Sequence, residues 1–356
     1  MKSNKTIFGF VVVLICLALI GLFLVLREKR EVKIPLMSSM VPAINNNGDI
    51  NNIDNNIDNL KNINLITGLS CDNYNRRPVA VMFPNDSVAM PLSGLSEADM
   101  VFEMQVIEDS MTRMMAVFIC NDPAELGSIR SARHDFIPLA MGIDAIYVHW
   151  GGSHFALDKL NKKVMNNIDA LRNPYSAFFR KSGIISPHNG FSSMKRLINS
   201  AQKLNYRLEN NFEGYPHEAK GSQNEKAQVI KIGYTYPFNI EWRYDSEKNT
   251  YFRLRGGKSE IDKNNSQQVE AENIIVMGAK SRQIEGQYND VDVEGEGMAE
   301  FYSNGEMTKG KWTKDKNSFS SKLYFLNESG EEFKFTPGSI WVEIIEPEKM
   351  VSWSLT

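Results

Sequence analysis

The stretch GSIRSARHDF, Gly127 to Phe136, sets two arginines three positions apart around a serine and follows them with a histidine and an aspartate. A guanidinium presents its N–H donors in a planar fork that matches carboxylate and phosphate oxygens, so Arg130, Ser131 and Arg133 form a candidate oxyanion clamp. If the segment opens a helix near Ser131, residues three apart share a face, and the helix start adds backbone N–H donors and a favourable dipole end. The same arginines could instead be held internally by Glu97, Asp99, Glu103 or Asp135. Such pairs contribute little at a surface but are costly to break when buried.

A second constellation is HWGGSH, where Gly151 and Gly152 permit close backbone approach and Ser153 stands where it can cap a following helix. A strand-to-helix turn of this kind can cradle an anion. It lacks the glycine-x-serine-x-glycine order of a nucleophile elbow. His149, His188 and Glu103 are the candidate catalytic groups, since an imidazole or carboxylate in reach of a substrate proton can act as general base. His188 sits beside Asn189 in a proline-containing loop, which makes both candidate ligand contacts. No cysteine and histidine spacing resembles a zinc site, the acidic residues form no recognised metal motif, and no cofactor is expected. Nothing in these residues selects among acyl, glycosyl and phosphoryl chemistry, which leaves open whether the protein is an enzyme.

The elements that must position these groups are legible from periodicity. RPVAVMFP reads as a buried strand starting near Arg77, and DMVFEMQV with RMMAVFIC reads as a β-hairpin whose polar face carries Glu103. A helix is expected from about Ser131 and tightened at Pro138. DAIYVHW, GGS and HFALDKLNKK form a strand, turn and helix with a parallel-sheet flavour. NPYSAFFRKSGIISPHNG reads as a loop, followed by an amphipathic helix over 191–204. From about Gln228 onward the pattern becomes short alternating runs such as IEWRYD, YFRLR and SIWVEII, a mostly β region. Trp242, Trp312 and Trp341 could stack on sugars, but alternation favours their use in packing.

The fold class expected is therefore α+β, a mixed α/β N-terminal domain and a mostly β C-terminal domain preceded by one transmembrane helix. The segments are 1–31 for the tail and anchor, 32–73 for an Asn-rich linker, 74–208 and 228–356 for the two domains, and 209–227 for the linker between them. Of the cysteines, only Cys71 and Cys120 lie outside the apolar N-terminal run, and both a disulfide and two buried thiols remain open.

The motifs RPVAVM, GLSEAD, TRMMAVF, IRSAR, DAIYVHWGGS and PHN, followed by GKW and PGSIWV, resemble those of the YerB-like bacterial envelope proteins defined by a DUF3048 domain. The resemblance runs from about Arg77 to the C-terminus. Phe83-Pro84, Asp109-Ser110 and Ser128 depart from the family pattern. The resemblance implies an extracytoplasmic protein held at the membrane by a lipid or an apolar anchor, and it carries no catalytic residues with it.

Composition agrees with that placement. Ile7 to Leu26 is an uncharged apolar run long enough to cross a bilayer as a helix. Ile15 before Cys16, with apolar residues continuing beyond, fits an uncleaved signal-anchor better than an acylation site. The flanking lysines and arginines do not set orientation by themselves, and the short N-terminal tail favours folded domains outside. A net charge of -3 supplies no field for nucleic acid. The expected role is binding an anionic cell-envelope ligand or acting as an envelope accessory factor. The alternatives are a hydrolase or transferase on an envelope substrate, and a scaffold that binds an envelope protein through the β region.

Overall fold

Apolar alternation builds one large sheet from both halves of the sequence. In chain order its strands are β1 (Val79–Pro84), β2 (Met100–Gln105), β3 (Thr112–Phe118), β4 (Ile146–His149), β5 (Asn167–Asp169), β6 (Asn273–Gly278), β7 (Gly295–Ser303), β8 (Glu306–Lys314), β9 (Tyr324–Asn327) and β10 (Ile340–Ile345). Their spatial order is β9-β8-β7-β6-β10-β2-β3-β1-β4-β5. The expected hairpin is β2–β3, with Met100 opposite Val117. β1 lies antiparallel to β3 and parallel to β4, while β10 runs parallel to β2 on one side and β6 on the other.

This is a computed structural model describing residues 62–219, 229–349 and 352–354, all within the unit Asp54–Thr356. The expected transmembrane helix over Ile7–Leu26 and most of the Asn-rich stretch lie outside the described residues. Among the described residues no helix is long and apolar enough to cross a membrane.

Period-two alternation sends neighbouring side chains of each strand to opposite faces. Ala80, Met82, Phe102 and Met104 point to one face, where they pack with helices α1 (Phe136–Gly142) and α2 (His154–Asn161). Val79, Val81, Phe83 and Val101 point to the other, against helix α3 (Met194–Lys203) and a six-stranded sheet that includes Val229–Ile232, Ile240–Asp245 and Thr250–Arg255. The large sheet is thus a central layer covered on both sides. Trp242, Trp312 and Trp341 are buried in these two cores and offer no exposed ring to a sugar.

Several local expectations shift. The helix expected from Ser131 begins at Phe136, because the backbone N–H groups of Arg130 and Ala132 bond to Met82 O and Gly151 O, 2.8 and 2.9 Å away, and hold the loop extended. Pro138 then falls in the first turn of α1, where a missing N–H costs nothing. The last long helix starts at Met194 rather than at 191. Gly190–Ser192 is instead a strand paired with Leu126–Gly127 and Phe179–Arg180, so part of the expected loop is a small sheet. Ser193 caps the helix, its Oγ accepting from Arg196 N at 3.4 Å.

The packed structure also begins before Arg77. Ile66 is fully buried, and buried Asn64 donates from Nδ2 to Asp99 Oδ1 at 2.8 Å. A Cys71–Cys120 disulfide fastens this leading segment to the end of β3. Phe212 and Tyr215, within the stretch expected to link domains, sit in the helix-side core.

Cross-linking residues 49 apart removes chain entropy from the unfolded state. Loops of this size are worth about 2–4 kcal/mol. Urea unfolding of the Cys71→Ser/Cys120→Ser variant should show a stability loss of that order, and an unchanged midpoint would mean that the bridge carries no such constraint.

Candidate functional site

The loop carrying the two arginines lies across the C-terminal ends of the parallel strands β1 and β4. Arg130 N donates to Met82 O at 2.8 Å, Trp150 N donates to Arg130 O at 2.9 Å, and Ser153 N donates to Ala132 O at 3.1 Å. In open sheets with helices, that edge is where ligands commonly bind.

Beneath the loop is a third arginine that the sequence reading did not single out. Arg113, at the start of β3, shares the helix-side face with Met115 and Val117 and is only 3% exposed. Its contacts are meagre. Nη2 lies 3.8 Å from Met111 Sδ, the Asp86 carboxylate stands 4.0 Å from Nη1, and Nε and Nη1 make no hydrogen bond. Burial, reinforced by the positive charges of Arg133 and Arg130, pushes its pKa down to about 9. Arg130 is half-buried, with Nε unpaired, and feels Asp86 as its compensating charge. Arg133 is buried, donates from Nη1 to Ala132 O at 3.3 Å, and lies with its guanidinium carbon 5.5 Å from the centre of the Tyr288 ring. Burial lowers the pKa of both arginines.

His188 belongs to the same electrostatic neighbourhood. It is partly exposed and its Nδ1 has no partner. Burial and the charges of Arg130 and Arg113 lower its pKa against the opposing pull of Asp86. Ser131 is half-buried between the two loop arginines. Asn189 turns away to accept from Arg180 Nη1 at 2.5 Å.

The glycine turn serves architecture. Gly151 has φ +60°, its N–H donates to Asp169 Oδ1 at 2.9 Å, and its carbonyl accepts from Ala132 N and from His149 Nδ1 at 2.8 Å. Gly152 forms a parallel bridge with Ala132. Ser153 Oγ accepts from Ala156 N at 3.2 Å as the cap of α2. His149 is fully buried, its Nε2 faces Asn167 Oδ1 at 3.2 Å, and burial lowers its pKa against the opposing pull of Asp169.

Glu103 points to the opposite face of the sheet, away from the arginine loop. The polar face of the hairpin is covered by the six-stranded sheet, and Glu103 is fully buried there. It pairs with Arg253 Nη2 and accepts from Asn85 Nδ2 at 2.7 Å and Thr112 Oγ1 at 2.6 Å. Arg253 also pairs with Glu260 and lies 4.5 Å from the Trp341 ring centre. Glu343, opposite Glu103 across the β2–β10 pairing, accepts from Trp242 Nε1 at 2.9 Å. Burial and the adjacent Glu103 charge raise its pKa well above the carboxylate range. Glu97 and Asp99 are likewise occupied elsewhere, Glu97 Oε1 accepting from Asn264 Nδ2 at 3.3 Å and Asp99 from Asn64 and the backbone N–H groups of Ile119 and Cys120.

Two family models match in succession, the N-terminal domain of a protein of unknown function (DUF3048) over residues 66–207 and its C-terminal domain over residues 230–342. The chain belongs to the DUF3048 family. It is 29% identical over 287 residues to a Bacillus subtilis (strain 168) family member named "Putative lipoprotein YerB", covering 79% of this chain and 85% of the relative. A crystal structure of the YerB protein from Bacillus subtilis superposes with a TM-score of 0.74 at 27% identity, over 82% of this chain and 99% of that one. The family description states no activity, so the reading of the site rests on its geometry.

Sequence spacing could not have revealed Arg113 as a site residue. It lies 17 positions before Arg130 in a strand that reads as plain core, with only its place in the TRMMAVF motif as a signal.

Because burial and the Glu103 charge raise the Glu343 pKa in the fold, while the unfolded chain ionises above about pH 4.3, the folded state binds more protons between the two. Stability should therefore fall as pH rises from that value toward the raised Glu343 titration. Glu343→Gln mimics the protonated form. Urea melts from about pH 4 to 9 should show a flatter profile and greater stability than the native chain at the alkaline end, and an unaltered slope would place the effect elsewhere.

Proposed function

We propose that this chain is an envelope-associated, extracytoplasmic protein that binds an anionic ligand, carrying phosphate or carboxylate groups, at Arg113, Arg130 and Arg133. One observation carries the reading. Arg113 is buried with two guanidinium nitrogens lacking acceptors, under a loop that adds two more arginines, and the nearby carboxylate stands 4.0 Å away. Burying a charge without full pairing is expensive, and truncating a partner in such a site typically costs several kcal/mol. A bound oxyanion supplies the acceptors that this cluster lacks and the counter-charge that two adjacent guanidiniums need. The partly exposed Arg130 and His188 mark the side from which it enters. Placement at the envelope is supported by the lipoprotein name of the Bacillus relative and by the apolar run Ile7–Leu26.

A second reading, a hydrolase or transferase on an envelope substrate, is favoured by His188. A histidine whose pKa is lowered and whose Nδ1 is unpaired can accept a proton from a substrate held by the arginines. Loss of turnover with retained ligand affinity in His188→Ala would select this reading over simple binding.

Inorganic phosphate, pyrophosphate and citrate should raise the melting temperature of the folded protein by mass action if the cluster binds anions. Arg113→Met should weaken the effective anion by roughly ten- to a hundred-fold, the worth of one charge-assisted hydrogen-bonding group. Removing that uncompensated charge should also leave the ligand-free variant no less stable than the native chain. Native and variant chains shifted alike by every anion would sink the assignment.

A further inference from the structure

Immediately after the arginine loop, His134 and Asp135 meet Asp290, which belongs to the hairpin formed by Ser281–Glu285 and Tyr288–Val291. His134 Nε2 is 3.0 Å from Asp290 Oδ1 and 3.2 Å from Asp135 Oδ1. One donor atom from each residue lies within 4.8 Å of the others. Donors bound to one ion at about 2.0–2.2 Å are separated by roughly 3–3.5 Å in octahedral or tetrahedral arrangements, so the two histidine–carboxylate separations match the spacing a single cation requires.

A second observation is independent of that spacing. Asp135 is 4% exposed and His134 8% exposed, yet Asp135 Oδ2 finds no donor in hydrogen-bonding geometry and His134 Nδ1 has no partner. Both residues, with Asp290, line a cavity of about 220 Å³ that Lys159, Arg282 and Lys316 also border, together with the carboxylates of Asp292 and Glu294. A buried carboxylate with an unsatisfied oxygen at the wall of a polar cavity is a costly arrangement unless something positive completes it. Arg282 does so only in part, because it pairs with Asp290 Oδ2 and with Asp292 Oδ1 and leaves Asp290 Oδ1 turned toward the histidine.

We propose that His134, Asp135 and Asp290 bind one divalent transition-metal ion, zinc or manganese, which fastens the 281–291 hairpin to the base of the arginine loop. One imidazole and two carboxylates suit these ions, whereas calcium and magnesium prefer all-oxygen sets. Three protein ligands leave a position for water, as in open rather than closed metal sites. The ion spans a sequence separation of 156 residues between His134 and Asp290. It also anchors the hairpin whose Tyr288 ring lies 5.5 Å from the Arg133 guanidinium carbon, so it positions one of the three arginines without touching the anion.

Isothermal titration of the full-length chain in detergent with ZnCl2 and MnCl2, after chelator treatment, tests the site. The expected result is saturable binding of one ion per chain, at least ten-fold weaker in His134→Ala and in Asp290→Asn. Cobalt(II) substituted into the native chain should give a visible absorption band that both variants lose. Asp290 lies on a partly exposed hairpin, so Asp290→Asn keeps the test decisive should His134→Ala fail to fold. Arg282→Ala removes the cation competing for Asp290 and should tighten binding several-fold. His154→Ala, which removes the exposed histidine beside Glu285 on the same hairpin, should leave binding unchanged. Equal affinity in native, His134→Ala and Asp290→Asn chains, binding abolished by His154→Ala, or no binding by folded native chain at 100-fold excess of metal would each overturn the proposal.

Discussion

Six residues close to the C-terminus, Ile340–Ile345, join what the sequence keeps far apart. As β10 they hydrogen-bond in parallel to β2 on one side and to β6 on the other, with Phe102 opposite Val342 and Ile275 opposite Val342 across the other edge. Without this strand, both β2 and β6 would expose a row of unpaired backbone groups, which sheets avoid by pairing or covering. Its insertion aligns the two halves into one layer. It also sets Glu343 beside Glu103 and Trp341 against Trp242.

That alignment explains why buried charge appears on both faces of the layer with different consequences. On the six-stranded-sheet side, Arg253 reaches Glu103 and Glu260 and stacks near two tryptophans, so the charge is compensated on the spot and helps to fix how the second sheet sits. On the helix side, Arg113, Arg130 and Arg133 gather with far fewer acceptors. The difference lies in the distance of the counter-charge, since Arg253 has two carboxylates in close ion pairs whereas the carboxylate nearest Arg113 stands 4.0 Å away. Several carboxylates that could have knotted the IRSAR arginines are engaged elsewhere, while Asp86 and Asp135 remain in their electrostatic neighbourhood. Glu97, Asp99 and Glu103 all have other partners.

Much of the scaffold was legible in local pattern. The buried strand at Val79–Pro84, the β2–β3 hairpin, the Ile146–His149 strand with its capped helix, and the strand-rich second half all follow from periodicities that belong to single segments. The misplacements have a common cause. Residues 128–135 carry a helix-compatible composition, but their N–H groups are claimed by carbonyls of β1 and of the turn after β4, partners that no local window contains. The same holds for 190–192, drawn into a small sheet by Leu126–Gly127, and for Asn64 and Ile66, whose Asn-rich surroundings read as tether until the Cys71–Cys120 bridge and Asp99 are in place.

The sequence by itself determined the element types, the apolar N-terminal run, the family and the arginine pair, because each depends on residue identity over short spans. Tertiary structure alone decided that Arg113 lies under that pair, that Glu103 belongs to the opposite face, and that Asp290 meets His134. Those outcomes depend on which strands become neighbours. Neighbour choice is governed by burial and backbone pairing summed over the whole sheet, so a side chain's partner can stand 156 residues away with no trace in its own surroundings.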